Sequence, residues 1–171
     1  MTSNNRDLSS VLSRITNKLQ QDLVVSDTLH DLRDALNVDR VALYYFYTQW
    51  KGQVTFEAIV DRKYSIVGST GADECFNLEY AALYLGGRIY PTDDIEKAPI
   101  SECHRDFLRG LQVRSNLVSP VLTQGKLWGL LVAHQCHTLK MWQPADIETI
   151  RKYSIDLATA PSICNYDLQY N

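Results

Sequence analysis

The chain has 171 residues, a net charge of −3, 45% hydrophobic residues and 22% charged ones. That supports one domain with a true core, and the absence of a long basic run weighs against a nucleic-acid partner. The longest apolar run falls far short of the roughly 20 residues of a membrane helix, and "MTSNNRDLSS" carries no apolar signal segment, so a cytoplasmic protein without membrane insertion is expected.

In chain order, "DLSSVLSRITNKLQ" (7–20) places Leu8, Val11, Leu12, Ile15 and Leu19 on one stripe, the spacing of an amphipathic helix. "SDTLHDLRDALN" (26–37) repeats the stripe, with Ser26 or Asp27 expected as the N-cap. "DRVALYYFYTQ" (39–49) and "QVTFEAIV" (53–60) read as a hairpin of strands turning at "WKG". Residues 61–100 are less regular. "LEYAALYLGG" (78–87) is expected to be a short helix stopped by Gly86-Gly87, and "RIYPTDDIEKAP" an extended piece and a loop. "SECHRDFLRGL" (101–111) suits another short helix. "VRSNLVSPVLT" (113–123) and "KLWGLLVAHQC" (127–136) are strands joined at "QGK". "QPADIETIRKYSIDLATA" (143–160) closes with an amphipathic helix whose first turn tolerates Pro144. The fold class is therefore α+β: an antiparallel sheet with helices packed on it.

The chemistry-bearing residues are few. The cysteines are Cys75, Cys103, Cys136 and Cys164; none forms a C-x-x-C pair, and reduced thiols are expected. Cys103-His104 and Cys136-His137 make a poor zinc site, because adjacent residues diverge along a helix or strand. Taken alone, Cys103-His104 reads as a nucleophile with its base, as two ligands, or as an attachment point for a prosthetic group. A lone cysteine is more often a small buried hydrophobe. A Cys-His hydrolase would need a third group to orient the base, and nothing in the sequence supplies one. Tyrosine is heavily used, ten residues against four Phe, which suits a core with polar demands or a large flat ligand.

Four segments together carry a family resemblance. "ECHRDFLRGLQVRSNLVSPV", "KLWGLLVAHQC", "GGRIYPTDDI" and "DECF" (Asp73-Glu74-Cys75-Phe76) occur in the order found in cyanobacteriochrome GAF domains, relatives of the phytochromes. "DECF" is similar to the D-x-C-F motif of a subgroup with two bilin-reactive cysteines, and Cys75 lies 28 positions before Cys103 as in that subgroup. The resemblance covers roughly residues 24–160. It implies a GAF fold, a central antiparallel sheet flanked by helices, over residues 23–161. An N-terminal helix (1–22) would precede it, and a tail or linker helix (162–171) would follow.

It also implies the chemistry. Cys103 would form a thioether to ring A of a linear tetrapyrrole, phycocyanobilin or phycoviolobilin, its thiolate favoured by the helix N-terminus or by His104 and Arg105. His104 would pack on the tetrapyrrole plane, and Asp73 would face the pyrrole nitrogens. Phe76 would pack beside the chromophore. Arg88 would pair with a propionate, while Arg114 and Asn116 are weaker candidates. His134 would lie near ring D or a propionate. Cys75 would add reversibly at C10, giving a blue- or violet-absorbing 15Z state that light converts to a green- to orange-absorbing 15E state. Cys136 and Cys164 have no part. No catalytic residue or metal site is implied, and the chain is read as no enzyme. Its partners would be the bilin and a downstream output domain of the same signalling protein, and dimerisation through the terminal helices fits the layout. A cyclic-nucleotide-sensing GAF domain would leave Asp73, Cys75 and Cys103 unexplained. A GAF-type thiol redox enzyme would need cysteines that meet as a disulfide.

Overall fold

The computed structural model describes residues 3–48, 51–71 and 78–165. Helix α1 runs Ser3–Gln21 and α2 Leu23–Leu36. The stripe read from the sequence faces inward: Ile15 and Leu19 of α1, and Val25, Leu29, Leu32 and Leu36 of α2, are buried. The α2 cap is not where the stripe placed it. Asp22 is the N-cap, its Oδ1 accepting from Val24 N at 3.0 Å. Leu23 and Val24 of that first turn are exposed, so the apolar periodicity gave no sign of it. Asn37, at φ 50, ends the helix in the left-handed conformation that Asn tolerates.

Strands β1 (Arg40–Thr48), β2 (Lys51–Ile59), β3 (Tyr90–Thr92), β4 (Ser115–Thr123) and β5 (Lys126–Gln135) form one antiparallel sheet in the order β2-β1-β5-β4-β3. Lys51 and Gly52 already belong to β2, paired with Thr48 and Phe46, so the first hairpin turns earlier than "WKG" predicts. The β4–β5 turn puts Gln124 and Gly125 at φ 51 and 73, the paired positive φ of a type I′ hairpin. Helix α3 (Leu78–Leu85) stops at Gly87, φ 82. Helix α4 (Glu102–Gly110) is capped by Ser101 and α5 (Pro144–Leu157) by Gln143. A last short helix, α6 (Pro161–Cys164), begins where the sequence offered a tail or a linker helix.

Alternation gives the sheet two faces. Val41, Leu43 and Tyr45 of β1, Leu117 and Val121 of β4, and Leu131 and Ala133 of β5 pack against α1, α2 and α5 in the main core. A buried Ser119–Ser154 hydrogen bond of 2.9 Å ties β4 to α5 on that side. The intervening residues, including Ala42, Tyr44, Val118 and Val132, face the other side, under α3 and α4. The expected α+β arrangement, a five-stranded antiparallel sheet with flanking helices, is what the chain adopts.

At the centre of the sheet, Gly129 pairs with Tyr45, and a Cβ on Gly129 would run into the Tyr44 carbonyl oxygen. Backbone cannot move aside cheaply there. Gly129→Ala is expected to cost about 1–3 kcal/mol, seen as a lower urea midpoint. Gly110→Ala meets open space and is expected to stay within about 0.5 kcal/mol of the parent.

Candidate functional site

The face of the sheet away from α1, α2 and α5 carries a cleft of about 110 Å³, open at its mouth. Its floor comes from the inward-alternating residues of three central strands: Tyr44 and Phe46, Asn116 and Val118, Leu130, Val132 and His134. Its cover comes from α4 through His104, Phe107 and Leu108, from Tyr84 of α3, and from Tyr90 and Thr92 of β3. Aromatic rings dominate the walls. Tyr44 and Phe46 meet edge to face with centroids 5.3 Å apart, and the Tyr44 hydroxyl accepts from Gly71 N at 3.0 Å, pinning the loop after β2.

Polar groups on the floor are few and lie in one row across the sheet. Arg40, His134, Asn116 and Thr92 are paired in sequence across β1, β5, β4 and β3. Arg40 is fully buried. Its Nε donates to His134 Nδ1 at 3.0 Å, and its two terminal nitrogens donate to the carbonyl oxygens of Tyr64 and Leu111. His134 is 3% exposed, and burial, reinforced by the Arg40 charge, holds its imidazole well below the ordinary range. Asn116 leaves a buried Oδ1 with no partner among the described residues. An orphan acceptor and aromatic walls fit a large, flat, mostly apolar ligand carrying a few donors and acceptors, which is the character of a linear tetrapyrrole.

Cys103 sits exposed at the second position of α4, beside the cleft that its neighbours His104 and Phe107 line. Its two proposed activators do not serve it. Burial lowers the His104 pKa, so this imidazole is neutral at neutral pH. Arg105 turns away, donating from Nε to Ile95 O and from a terminal nitrogen to Ala98 O, both at 2.9 Å, and pairing with Glu102. The helix N-terminus remains as the positive end nearest the sulfur. Cys103 is also in a disulfide here, in place of the reduced thiol expected from composition; its sulfur has reached another thiol.

Arg88 stacks on Tyr90, a residue of the cleft lining, with Cζ 4.2 Å from the ring centroid, and no carboxylate pairs with it among the described residues. Asp73, Cys75 and Phe76 lie outside the described residues. Cys136 is buried and its thiol is pushed up to about 11, mainly by burial; Cys164 is the other free thiol among the described residues. No cluster of three or more potential metal ligands occurs among the described residues, and none of the described helices is long and apolar enough to cross a membrane.

Arg40 was not singled out in the sequence. Counting by twos along "RVALYYFYT" would have placed it with Ala42, Tyr44 and Phe46 on the cleft face, where a charge among apolar neighbours stands out. The buried His134 and the half-buried His104, both held below the ordinary histidine range, carry a pH signature. Stability is expected to be fully present above about pH 6.5, the ordinary histidine value, and to fall on acidification as the unfolded chain takes up protons that folded His134 and His104 refuse. Urea titrations at stepped pH check this; His134→Gln is expected to flatten the slope.

A GAF domain profile matches residues 8–160. An uncharacterized protein of Picosynechococcus sp. strain PCC 7002 is 42% identical over 153 residues, spanning 90% of this chain and 94% of that one. The crystal structure of the blue-light absorbing form of the Thermosynechococcus elongatus PixJ GAF-domain superposes with TM-score 0.70 at 32% identity, covering 90% of this chain and 84% of that chain. The phycocyanobilin-bound GAF domain from a cyanobacterial phytochrome superposes with TM-score 0.71 at 26% identity, covering 88% and 91%. The chain thus belongs to the GAF domain family, with its strong structural matches among cyanobacteriochrome and phytochrome GAF domains.

Proposed function

We propose that the chain is a photosensory module that holds a linear tetrapyrrole in the cleft between the sheet and α4. The observation that carries this reading is the cleft itself: aromatic-walled, nearly apolar, with His104 and His134 in its lining and Cys103 beside it. The blue-light absorbing and phycocyanobilin-bound neighbours support it.

In this reading Cys103 anchors the pigment. Its thiolate adds to the exocyclic ethylidene of ring A, a C–S bond forms, and the displaced electron pair of the double bond takes up a proton; nothing leaves. The addition happens once per molecule, so the chain is not an enzyme. His104, neutral and half covered, packs on the ring plane. His134 hydrogen-bonds from the floor. Arg88 swings from Tyr90 to a propionate, for which its planar fork is suited. Asp73 offsets the charge of the protonated pyrroles and takes part in any conversion of phycocyanobilin to phycoviolobilin, and Phe76 packs beside the pigment.

Cys75 acts as the second, reversible nucleophile of the D-x-C-F type. Its addition at C10 divides the conjugation and leaves a blue- or violet-absorbing 15Z state. Such a pigment, when bound, would supply light-driven isomerisation at C15, and release by Cys75 would restore longer-wavelength absorption, green with phycoviolobilin and orange to red with phycocyanobilin. The helical layer on the opposite face carries the terminal helices α1 and α6, and Ser162 N of α6 donates to Oδ2 of Asp22, the N-cap of α2, at 2.9 Å. That layer is the route to an output domain of a larger signalling protein and the surface for a homodimer, in the cytoplasm.

One observation favours a second reading. The disulfide at Cys103 is what a GAF-type thiol redox enzyme would show. The two readings separate in one assembly. With phycocyanobilin and a thiol reductant, the wild type is expected to give a band with zinc-enhanced fluorescence after denaturing electrophoresis; without reductant the band is expected to weaken severalfold, because the oxidised sulfur cannot add. No pigmented band in reductant contradicts the bilin reading, and peroxide-dependent turnover by a colourless protein favours the redox one. Cys103→Ala is expected to lose the stable pigment. Cys75→Ser is expected to keep it but lose the blue- or violet-absorbing state; an unchanged spectrum would remove Cys75 from the mechanism.

A further inference from the structure

The polar row on the cleft floor has a direction. Arg40, His134 and Asn116 stand at directly paired positions of β1, β5 and β4, where side chains rise together from one face of an antiparallel sheet. Arg40 begins the row. Its guanidinium is fully buried and donates at three points, to His134 Nδ1 and to the Tyr64 and Leu111 carbonyls. A guanidinium has no acceptor and does not give up its charge. His134 Nδ1 must therefore offer its lone pair, and the single proton of the ring sits on Nε2. A second proton would turn Nδ1 into a donor facing a donor and set two cations in contact in a buried site.

The other end of the ring is free to act. His134 lines the cleft, and its Nε2 has no hydrogen-bond partner among the described residues. Asn116 beside it is 5% exposed and leaves Oδ1 unpartnered. The floor thus offers a ligand one uncharged N–H donor and, one strand over, a buried amide.

We infer that Arg40 is a positioning residue that locks His134 as a neutral Nε2–H donor aimed into the cleft. The lock is a property of the protein alone; its effect on a bound pigment rests on the bilin reading. Arg40 reaches the ligand only through His134. The titratable and charged groups around the row are Arg40 of β1 and Asp39 just before it, Glu57 of β2, Cys136 following β5, and His104 of α4 across the cleft. Arg40 is the one whose charge bears directly on His134. The two carboxylates are engaged elsewhere: Asp39 accepts from the Cys136 and His137 backbone N–H groups, and Glu57 from Ser65 and Ile66.

The test is long-range proton–nitrogen NMR on the pigment-free full chain labelled with nitrogen-15 histidine, with His134→Gln assigning the signal. The expected result is a single Nε2–H pattern for His134 that holds from about pH 8 to about pH 5, the range in which histidine ordinarily changes charge. In Arg40→Met, His134 is expected to take up its second proton within that range or to move its proton to Nδ1. Arg40→Lys, which keeps one donor, is expected to stay nearer the wild type. A wild-type His134 that is an Nδ1–H tautomer or an imidazolium would overturn the inference, as would an Arg40→Met signal identical to wild type. If Arg40→Met does not fold, the wild-type pattern alone decides. In the pigmented protein, Arg40→Met is expected to acquire a pH-dependent absorption shift over the same range that the wild type lacks. Because the NMR reads the lock without pigment, failure of the bilin reading and failure of the lock appear in different measurements.

Discussion

The structure depends on one constraint, the register of β1, β5 and β4. Side chains alternate across a sheet, so a slip of one residue would exchange the two faces completely. In this chain the faces are unlike. One buries Val41, Leu43, Leu117, Leu131 and Ala133 under α1, α2 and α5; the other presents Tyr44, Asn116, Val118, Val132 and His134 to the cleft, with Arg40 buried behind His134. A slipped strand would put Arg40 into the hydrophobic core without acceptors. Burial of an unpaired guanidinium is among the most costly events in folding, so the same residue that organises the cleft also selects the register.

The cleft follows from what covers each face. Three long or medium helices seal one side and exclude water from it. Among the described residues the other side has α3, α4, the edge strand β3 and the segment after β2 at its margins, with the floor between them lining the cleft. Water-poor walls strengthen the few polar interactions present. The surface around α4 is different in kind. Arg109 pairs with Glu96, Glu102 and Asp106 in the open, where ion pairs contribute little. Arg105 matters more, because its guanidinium ties the Ile95 and Ala98 carbonyls to the helix that carries Cys103.

Much of this was legible in the amino-acid order. The stripes of α1 and α2, the Gly86-Gly87 stop and the Gln124-Gly125 turn follow from local chemistry that the tertiary structure did not override. The motifs placed His104 and His134 before any coordinates, and both line the cleft. What was hidden is relational. Nothing near Asp22 announces a helix cap, because its first-turn residues Leu23 and Val24 face solvent and break the stripe. Nor does "DRV" announce that Arg40 meets His134, 94 residues away, since strand order is set by the whole sheet. Of the helix N-terminus, His104 and Arg105 as neighbours of Cys103, sequence order could not say that the His104 side chain lines the cleft and that Arg105 ties the Ile95 and Ala98 carbonyls.

The central claim is that this cleft holds a light-responsive tetrapyrrole. The most direct measurement is a light-minus-dark absorption difference spectrum of the protein assembled with phycocyanobilin, recorded through alternating blue and longer-wavelength illumination. A blue or violet band is expected to disappear as a band between green and red grows, orange to red where the pigment stays phycocyanobilin, and to return under the second light. A pigment that binds but shows no reversible change would contradict that claim.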